Sequence, residues 1–99
     1  MPRYLITPSA KADVREIIAY LRERSPQAAV HVRNELKVAM RKLAMFPWIG
    51  HRRADVHSES LRFWSVYSYL IAYHAEKKPI EIIRVFHGAR NVGKLPMSE

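Results

Sequence analysis

Cysteine is absent, which removes disulfides and thiolate-bound zinc from the means that could stabilise a chain of 99 residues. Acidic residues are scarce: nine Asp and Glu face seventeen Lys and Arg, giving a formal charge of +8 and a pI near 10.2. Such a surplus attracts polyanions across a Debye length, so nucleic acid, the ribosome, an anionic membrane surface and an acidic protein all qualify as partners. The plainer alternative is charge that serves solubility alone. Long hydrophobic runs are lacking too. None exceeds the length of Tyr69 to Tyr73, far too short to cross a bilayer. The stretch Met1-Pro2-Arg3-Tyr4-Leu5-Ile6 contains no apolar signal core, so a cytoplasmic location without membrane attachment is expected. No repeat, low-complexity tract or Gly/Ser linker divides the chain, and residues 1–99 are read as a single domain. A domain this small buries a smaller fraction of its surface than a larger one, so a partner covering apolar surface would stabilise it appreciably. The five histidines, at 31, 51, 57, 74 and 87, show no close ligand spacing, and neither a metal nor another cofactor is expected.

What is present is a regular order of elements. Arg3 to Ile6 reads as a short strand. Thr7-Pro8 supplies a hydroxyl N-cap followed by proline at the first helical position. Ala10, Val14, Ile17, Ile18 and Leu21 then mark one face of an amphipathic helix, with Lys11, Arg15 and Arg22 mostly off it. Ser25-Pro26 repeats the start signal. Ala29, Val32, Leu36, Ala39, Met40 and Leu43 form a second stripe that ends before Pro47. The connection around Arg24 is so short that the helices must form an antiparallel hairpin. Arg33, Lys37 and Arg41 recur at every fourth position, a basic ridge off the stripe. It is read as a solvated face or as a contact for an acidic partner.

Phe46 to Ser60 is a loop that includes the basic run His51-Arg52-Arg53. Three β-branched and aromatic segments follow, Leu61–Val66, Tyr69–Ala75 and Ile80–His87. Glu76 to Pro79 is a hairpin turn. The turn at Tyr67-Ser68 lacks the glycine or asparagine that tight hairpins favour. A short tail, with room for one helical turn, begins at Gly88. The order β-α-α-β-β-β implies an α+β domain, an antiparallel sheet packed on an N-terminal helix hairpin. In a regular last strand Ile82 and Phe86 face one way, Ile83 and Val85 the other. Helices cover only one face, which leaves apolar surface for a partner or for the loop and tail.

Several segments together resemble the ParE branch of the RelE/ParE toxin superfamily. They are Tyr4-Leu5-Ile6-Thr7-Pro8-Ser9-Ala10 with Asp13 and Ile17; Leu43-Ala44-Met45-Phe46-Pro47-Trp48-Ile49-Gly50 with Arg53 and Asp55; Leu61-Arg62; Tyr69-Leu70-Ile71-Ala72-Tyr73; and the ending Ile82-Ile83-Arg84-Val85-Phe86-His87-Gly88-Ala89-Arg90. The likeness runs from Arg3 to about Asn91. It implies a β-α-α-β-β-β fold and a toxin of a type II toxin–antitoxin pair. The implied target is DNA gyrase, inhibited by protein contact, with growth arrest and plasmid stabilisation as the outcome. It also implies a cognate antitoxin that wraps the toxin in a hetero-oligomer and alone carries the contact with operator DNA. Asn91 stands where many ParE-like sequences have aspartate.

RelE-like relatives use the same fold to cut mRNA on the ribosome, and such a nuclease is the alternative. Cleavage at a 2′-hydroxyl needs an acid, a base and cations for the developing charge. The candidates are His87, Arg84, Arg90 and Arg62, with His74, Glu81 and tyrosines 67, 69 and 73 as further possibilities. The pattern departs from the nuclease branch, because no tyrosine follows Tyr73 where that branch often has its strand-end acid–base group. Arg84, amid apolar neighbours, is expected to be a structural ion-pair arginine with Glu81 or Glu59. It is also placed to approach Arg62 across the sheet. Asp13 and Glu16 are assigned to the first helix's dipole. For a toxin acting by contact, the target-facing candidates are His87, Arg90, Asn91 and Lys94, and the antitoxin-facing ones are Arg33, Lys37 and Arg41. Trp48 and Trp64 are read as packing residues ahead of base-stacking platforms.

Overall fold

The computed structural model describes residues 3–53 and 61–88. The chain forms β1 (Tyr4–Ile6), α1 (Pro8–Arg24), α2 (Pro26–Met45), a 3₁₀ turn (Pro47–Ile49), β2 (Leu61–Val66), β3 (Tyr69–His74) and β4 (Ile80–His87). Both helix starts follow from their capping residues. The Thr7 side chain accepts a hydrogen bond from the Ala10 N–H at 3.1 Å, and Ser25 accepts from the Ala28 N–H at 3.2 Å. Each satisfies a first-turn N–H that has no partner within the helix. Ser25 also closes α1, its own N–H donating to the Leu21 carbonyl at 2.7 Å. One residue is thus the whole joint of the hairpin.

The sheet has the order β1-β4-β3-β2. The meander β2-β3-β4 is antiparallel, as its hairpin connections require. β1, however, lies parallel to β4, pairing Tyr4 with Ile80 and Ile6 with Ile82, so the sheet is mixed rather than wholly antiparallel. The edge of β4 would otherwise expose unpaired backbone groups, and the short first strand covers its start, from Ile80 to Ile82.

The main core lies between helices and sheet. It joins Ala10, Val32, Leu36, Ala39, Met40 and Leu43 to Ile71, Tyr73, Ile80, Ile82 and Val85. The α2 stripe is buried throughout. On α1 only Ala10 and Ile18 are buried, while Val14, Ile17 and Leu21 pack against the core partly exposed. A second cluster, Leu61, Phe63, Ala72, Ile83 and Phe86, occupies the opposite sheet face. This pairing of Ile82 with Val85, and of Ile83 with Phe86, differs from regular alternation. A register shift between Ala72 and Tyr73 sets Ala72 against Arg84 but Tyr73 against Ile82, so β4 carries one extra residue. The extra residue reverses the facing of every later side chain. The named residues of both clusters are buried, and Ile83 and Phe86 are only 1% and 2% exposed.

Leu36 touches the core from the centre of α2 and is 1% exposed. Leu36→Ala is expected to destabilise the fold by about 2–5 kcal/mol. Ile17→Ala, at a half-open site, should cost well under half as much. Urea denaturation of the two variants against the parent provides the comparison, and equal losses would refute the burial assignment.

Candidate functional site

Three elements that meet along one edge of the fold build the first candidate surface. β1 contributes Tyr4 and Ile6, α1 contributes Lys11, Val14 and Arg15, and α2 contributes Arg33, Leu36, Lys37 and Met40. They line a groove of about 250 Å³. Its floor is apolar because the partly buried face of α1 and the flank of the α2 stripe diverge there. Its rim is cationic because Lys11 and Arg15, and likewise Arg33 and Lys37, are four residues apart on their helices and emerge side by side. No acidic side chain lines it. Of the ridge read from sequence, Arg33 and Lys37 belong to this groove, while Arg41, a turn further on, is exposed and does not line it. The α1 half of the rim was visible in the sequence only as basic residues off the helix stripe.

The second surface lies at the end of β4. His87 is exposed and stands opposite Tyr69, with the two rings edge to face at 5.8 Å. They border a pocket of about 540 Å³ together with Asp13, Glu16, Ile17, Tyr20, Val85 and Phe86. Of the tyrosines considered from sequence, Tyr69 alone reaches this pocket. The Tyr73 hydroxyl donates to the Pro47 carbonyl at 2.7 Å and accepts from the Gly50 N–H at 2.9 Å. Tyr67, which holds a left-handed φ of 54° at the β2–β3 turn, has its hydroxyl against His31 and Glu35 of α2. That backbone conformation suits glycine, and the tyrosine is retained there by its contacts to the helix.

The arginines have structural duties. Arg84 donates to both carboxylate oxygens of Asp13, at 2.7 and 3.0 Å, and the same carboxylate accepts the Val85 N–H at 2.9 Å. Arg84 is therefore an ion-pair arginine, but its partner is Asp13 rather than Glu81, which pairs with Lys77 at 3.3 Å. Glu59 lies outside the described residues. Asp13 sits beyond the first turn of α1, where no acidic residue occurs, so it serves the sheet rather than the helix dipole. Arg62 donates to the Gly50 carbonyl at 2.8 Å and lies 5.0 Å over the Trp48 ring. Arg84 and Arg62 have different partners, one on α1 and the other in the 3₁₀ loop. Arg90, Asn91 and Lys94 lie outside the described residues. His74 pairs in register with Glu81 and Leu61 and does not line the His87 pocket.

Gly50 is required where it stands, because a Cβ there would overlap the Tyr73 ring and hydroxyl. Burial pushes the Tyr73 hydroxyl above its ordinary value of 10.0, opposed by the Gly50 N–H bond and the nearby Arg62 charge. Among the described residues no three His, Asp or Glu side chains are grouped to hold a metal, and no helix is long and apolar enough to cross a membrane.

The chain matches the family model described as the ParE toxin of the type II toxin–antitoxin system parDE, over residues 4–92. Its fold is similar to a solved chain titled "Chromosomal ParDE TA system from P. aeruginosa", with a TM-score of 0.72 and 18% identity. That similarity covers 88% of this chain and 96% of the other. No curated protein matches it.

Two outcomes follow from the polar contacts. Asp13→Ala removes the carboxylate that accepts from the partly buried Arg84 guanidinium and from the Val85 N–H, and should cost about 2–4 kcal/mol. Asp13→Asn keeps an acceptor and should cost less; a double-mutant cycle with Arg84→Ala measures the coupling, and a coupling near zero would contradict the ion pair. For Tyr73 the fold favours the protonated hydroxyl, so its contribution is full below pH about 10 and is lost as pH rises through the folded value. The stability gap between the parent and Tyr73→Phe should therefore narrow above that pH in denaturant titrations.

Proposed function

The chain belongs to the ParE toxin family of type II toxin–antitoxin systems, and from that membership we propose that it inhibits DNA gyrase by protein contact and is neutralised by a cognate antitoxin lying in the basic groove. The observation that carries the antitoxin assignment is the groove itself, an apolar floor rimmed by Lys11, Arg15, Arg33 and Lys37. An acidic segment with apolar anchors complements both features: its charge speeds encounter and its anchors slow dissociation. Arg41 extends the same ridge toward the end of α2. Operator DNA is then reached through the antitoxin, and a cytoplasmic location agrees with both partners. Growth arrest and plasmid stabilisation are the expected consequences.

Contact rather than catalysis is supported by two of the described arginines: a ribonuclease needs cations placed to neutralise a phosphorane, and Arg84 is turned instead to Asp13 and Arg62 to the Gly50 carbonyl. The target-facing residues in this reading are His87, Arg90, Asn91 and Lys94. One observation favours the nuclease alternative: the Tyr69–His87 pair borders a pocket and supplies groups able to act as acid and base. The alternative enzyme would be metal-independent and ribosome-dependent.

Purified protein separates the readings. Inhibition of gyrase supercoiling with mRNA left intact on ribosomes is the expected result; ribosome-dependent cleavage with unaffected gyrase would replace it with the alternative. Arg90→Ala should weaken gyrase inhibition with little change in melting temperature, and His87→Ala should have the smaller effect. For a nuclease, His87→Ala would instead lower cleavage by about 10²–10⁴-fold. Reversing Lys11 and Lys37 together to Glu should weaken antitoxin binding strongly while sparing gyrase inhibition, measured by calorimetry and by the supercoiling assay.

A further inference from the structure

Where α2 ends, three large apolar side chains stand out of the surface. Met45, Phe46 and Trp48 are 57%, 53% and 56% exposed. Single exposed apolar residues are ordinary, but adjacent ones mark an interaction surface. Trp48 is thus not the packing residue its type suggests, whereas Trp64 does pack against the main core.

The segment is held firmly in this posture. The Phe46 N–H donates to the Lys42 carbonyl at 2.8 Å, Tyr73 bonds both Pro47 and Gly50, and Arg62 bonds the Gly50 carbonyl at 2.8 Å. A surface already fixed loses little freedom on binding. Cations and rings also interleave here. Arg62 lies over Trp48 at 5.0 Å and Lys42 over Trp64 at 5.2 Å, while His51 stacks on Trp64 with centroids 6.3 Å apart and planes 13° from parallel. From Val38 to Arg53 every charged residue is a cation: Arg41, Lys42, Arg52 and Arg53.

We propose that this corner binds single-stranded nucleic acid, with bases stacking on Trp48 and Phe46 and with Lys42 and its neighbouring cations taking the flanking phosphates. Aromatic faces set among cations provide the two things an unpaired strand offers partners for, flat bases and regularly spaced charge. An acidic peptide would satisfy the cations and leave the rings without flat partners. A lipid surface would call for apolar side chains set apart from the charges, whereas Arg62 here rests on the ring itself. In a duplex the base faces are stacked within the helix and closed to Trp48. The site is independent of the antitoxin groove: Arg33 and Lys37 face α1 and β1, while Lys42 faces Trp64 on the other flank of α2.

The test is fluorescence anisotropy of a labelled twelve-residue oligothymidylate titrated with the full chain, across a series of salt concentrations. Trp48→Ala should raise Kd by about 5- to 150-fold, the range for one stacked base, with an unchanged melting temperature. Trp48→Phe should retain most of the affinity. Lys42→Gln should weaken binding more than Lys77→Gln, which removes the same charge beside Glu81, and should reduce the salt slope by about 0.7. Four results would overturn the proposal: no binding by the parent at low salt; equal affinity for parent and Trp48→Ala; equal effects of the two lysine variants; or equal binding of a duplex of the same length. Stronger competition by polyglutamate or by phosphatidylglycerol vesicles than by unlabelled oligothymidylate would also overturn it, in favour of a protein or membrane partner.

Discussion

Strand β4 has backbone groups that its short neighbour β1 cannot reach, and the way these are satisfied fixes the rest of the molecule. β1 pairs with Ile80 to Ile82 only. Past that point the Thr7 N–H donates to the Ile82 carbonyl at 3.0 Å and the Thr7 hydroxyl to the Ile83 carbonyl at 2.9 Å; the Asp13 carboxylate then accepts the Val85 N–H. Thr7 is buried and caps α1 with the same oxygen. The first turns of α1 therefore act as a continuation of the sheet edge. Those contacts set where α1 begins and how it is rotated, and so which of its residues face the groove and which face the His87 pocket. Glu16, Ile17 and Tyr20 fall to the pocket, Lys11, Val14 and Arg15 to the groove.

Much of this was legible in the sequence because it depends on local chemistry. The caps Thr7-Pro8 and Ser25-Pro26, the α2 stripe and the three meander strands are written in spacing and residue type, and the structure places each where the pattern points. What escaped is non-local. Asp13 and Arg84 are 71 residues apart in sequence. A carboxylate on α1 and an arginine on β4 carry no mark in the sequence that they meet, whereas Glu81 lies close to Arg84 in sequence. The register shift beside Tyr73 leaves no residue signature such as glycine, and without it the facing of Val85 and Phe86 is inverted. The parallel placement of β1 depends on which sheet edge is left open, a property of the assembled fold. At the candidate sites, the ridge Arg33-Lys37 was readable, but its apolar floor and the Lys11-Arg15 wall needed the packing of α1.

The two flanks of α2 divide the surface. On one, Arg33 and Lys37 face α1 and β1 across an apolar floor. On the other, His31 and Glu35 engage Tyr67, and Lys42 covers Trp64, tying the helix to the β2–β3 hairpin. Tyr73 reaches from the middle of the sheet to hold the loop after α2, so the far end of that helix is anchored as well as its start. A small domain with no disulfide thereby keeps its helix from rolling on the sheet.

Ser25 ends one helix and starts the next without an intervening residue. A joint of that kind has no slack in either length or rotation. Each residue added to a helix turns the chain beyond it by about 100°. One residue gained or lost there would carry Arg33 and Lys37 out of the groove wall and swing the α2 stripe out of the core. A change of length is tolerated far better in a surface loop, whereas the spacing from Thr7 to Ser25 and from Ser25 to Leu36 acts as a fixed gauge for the fold. A frame change at that joint would not loosen the recognition surface; it would replace it with a different one.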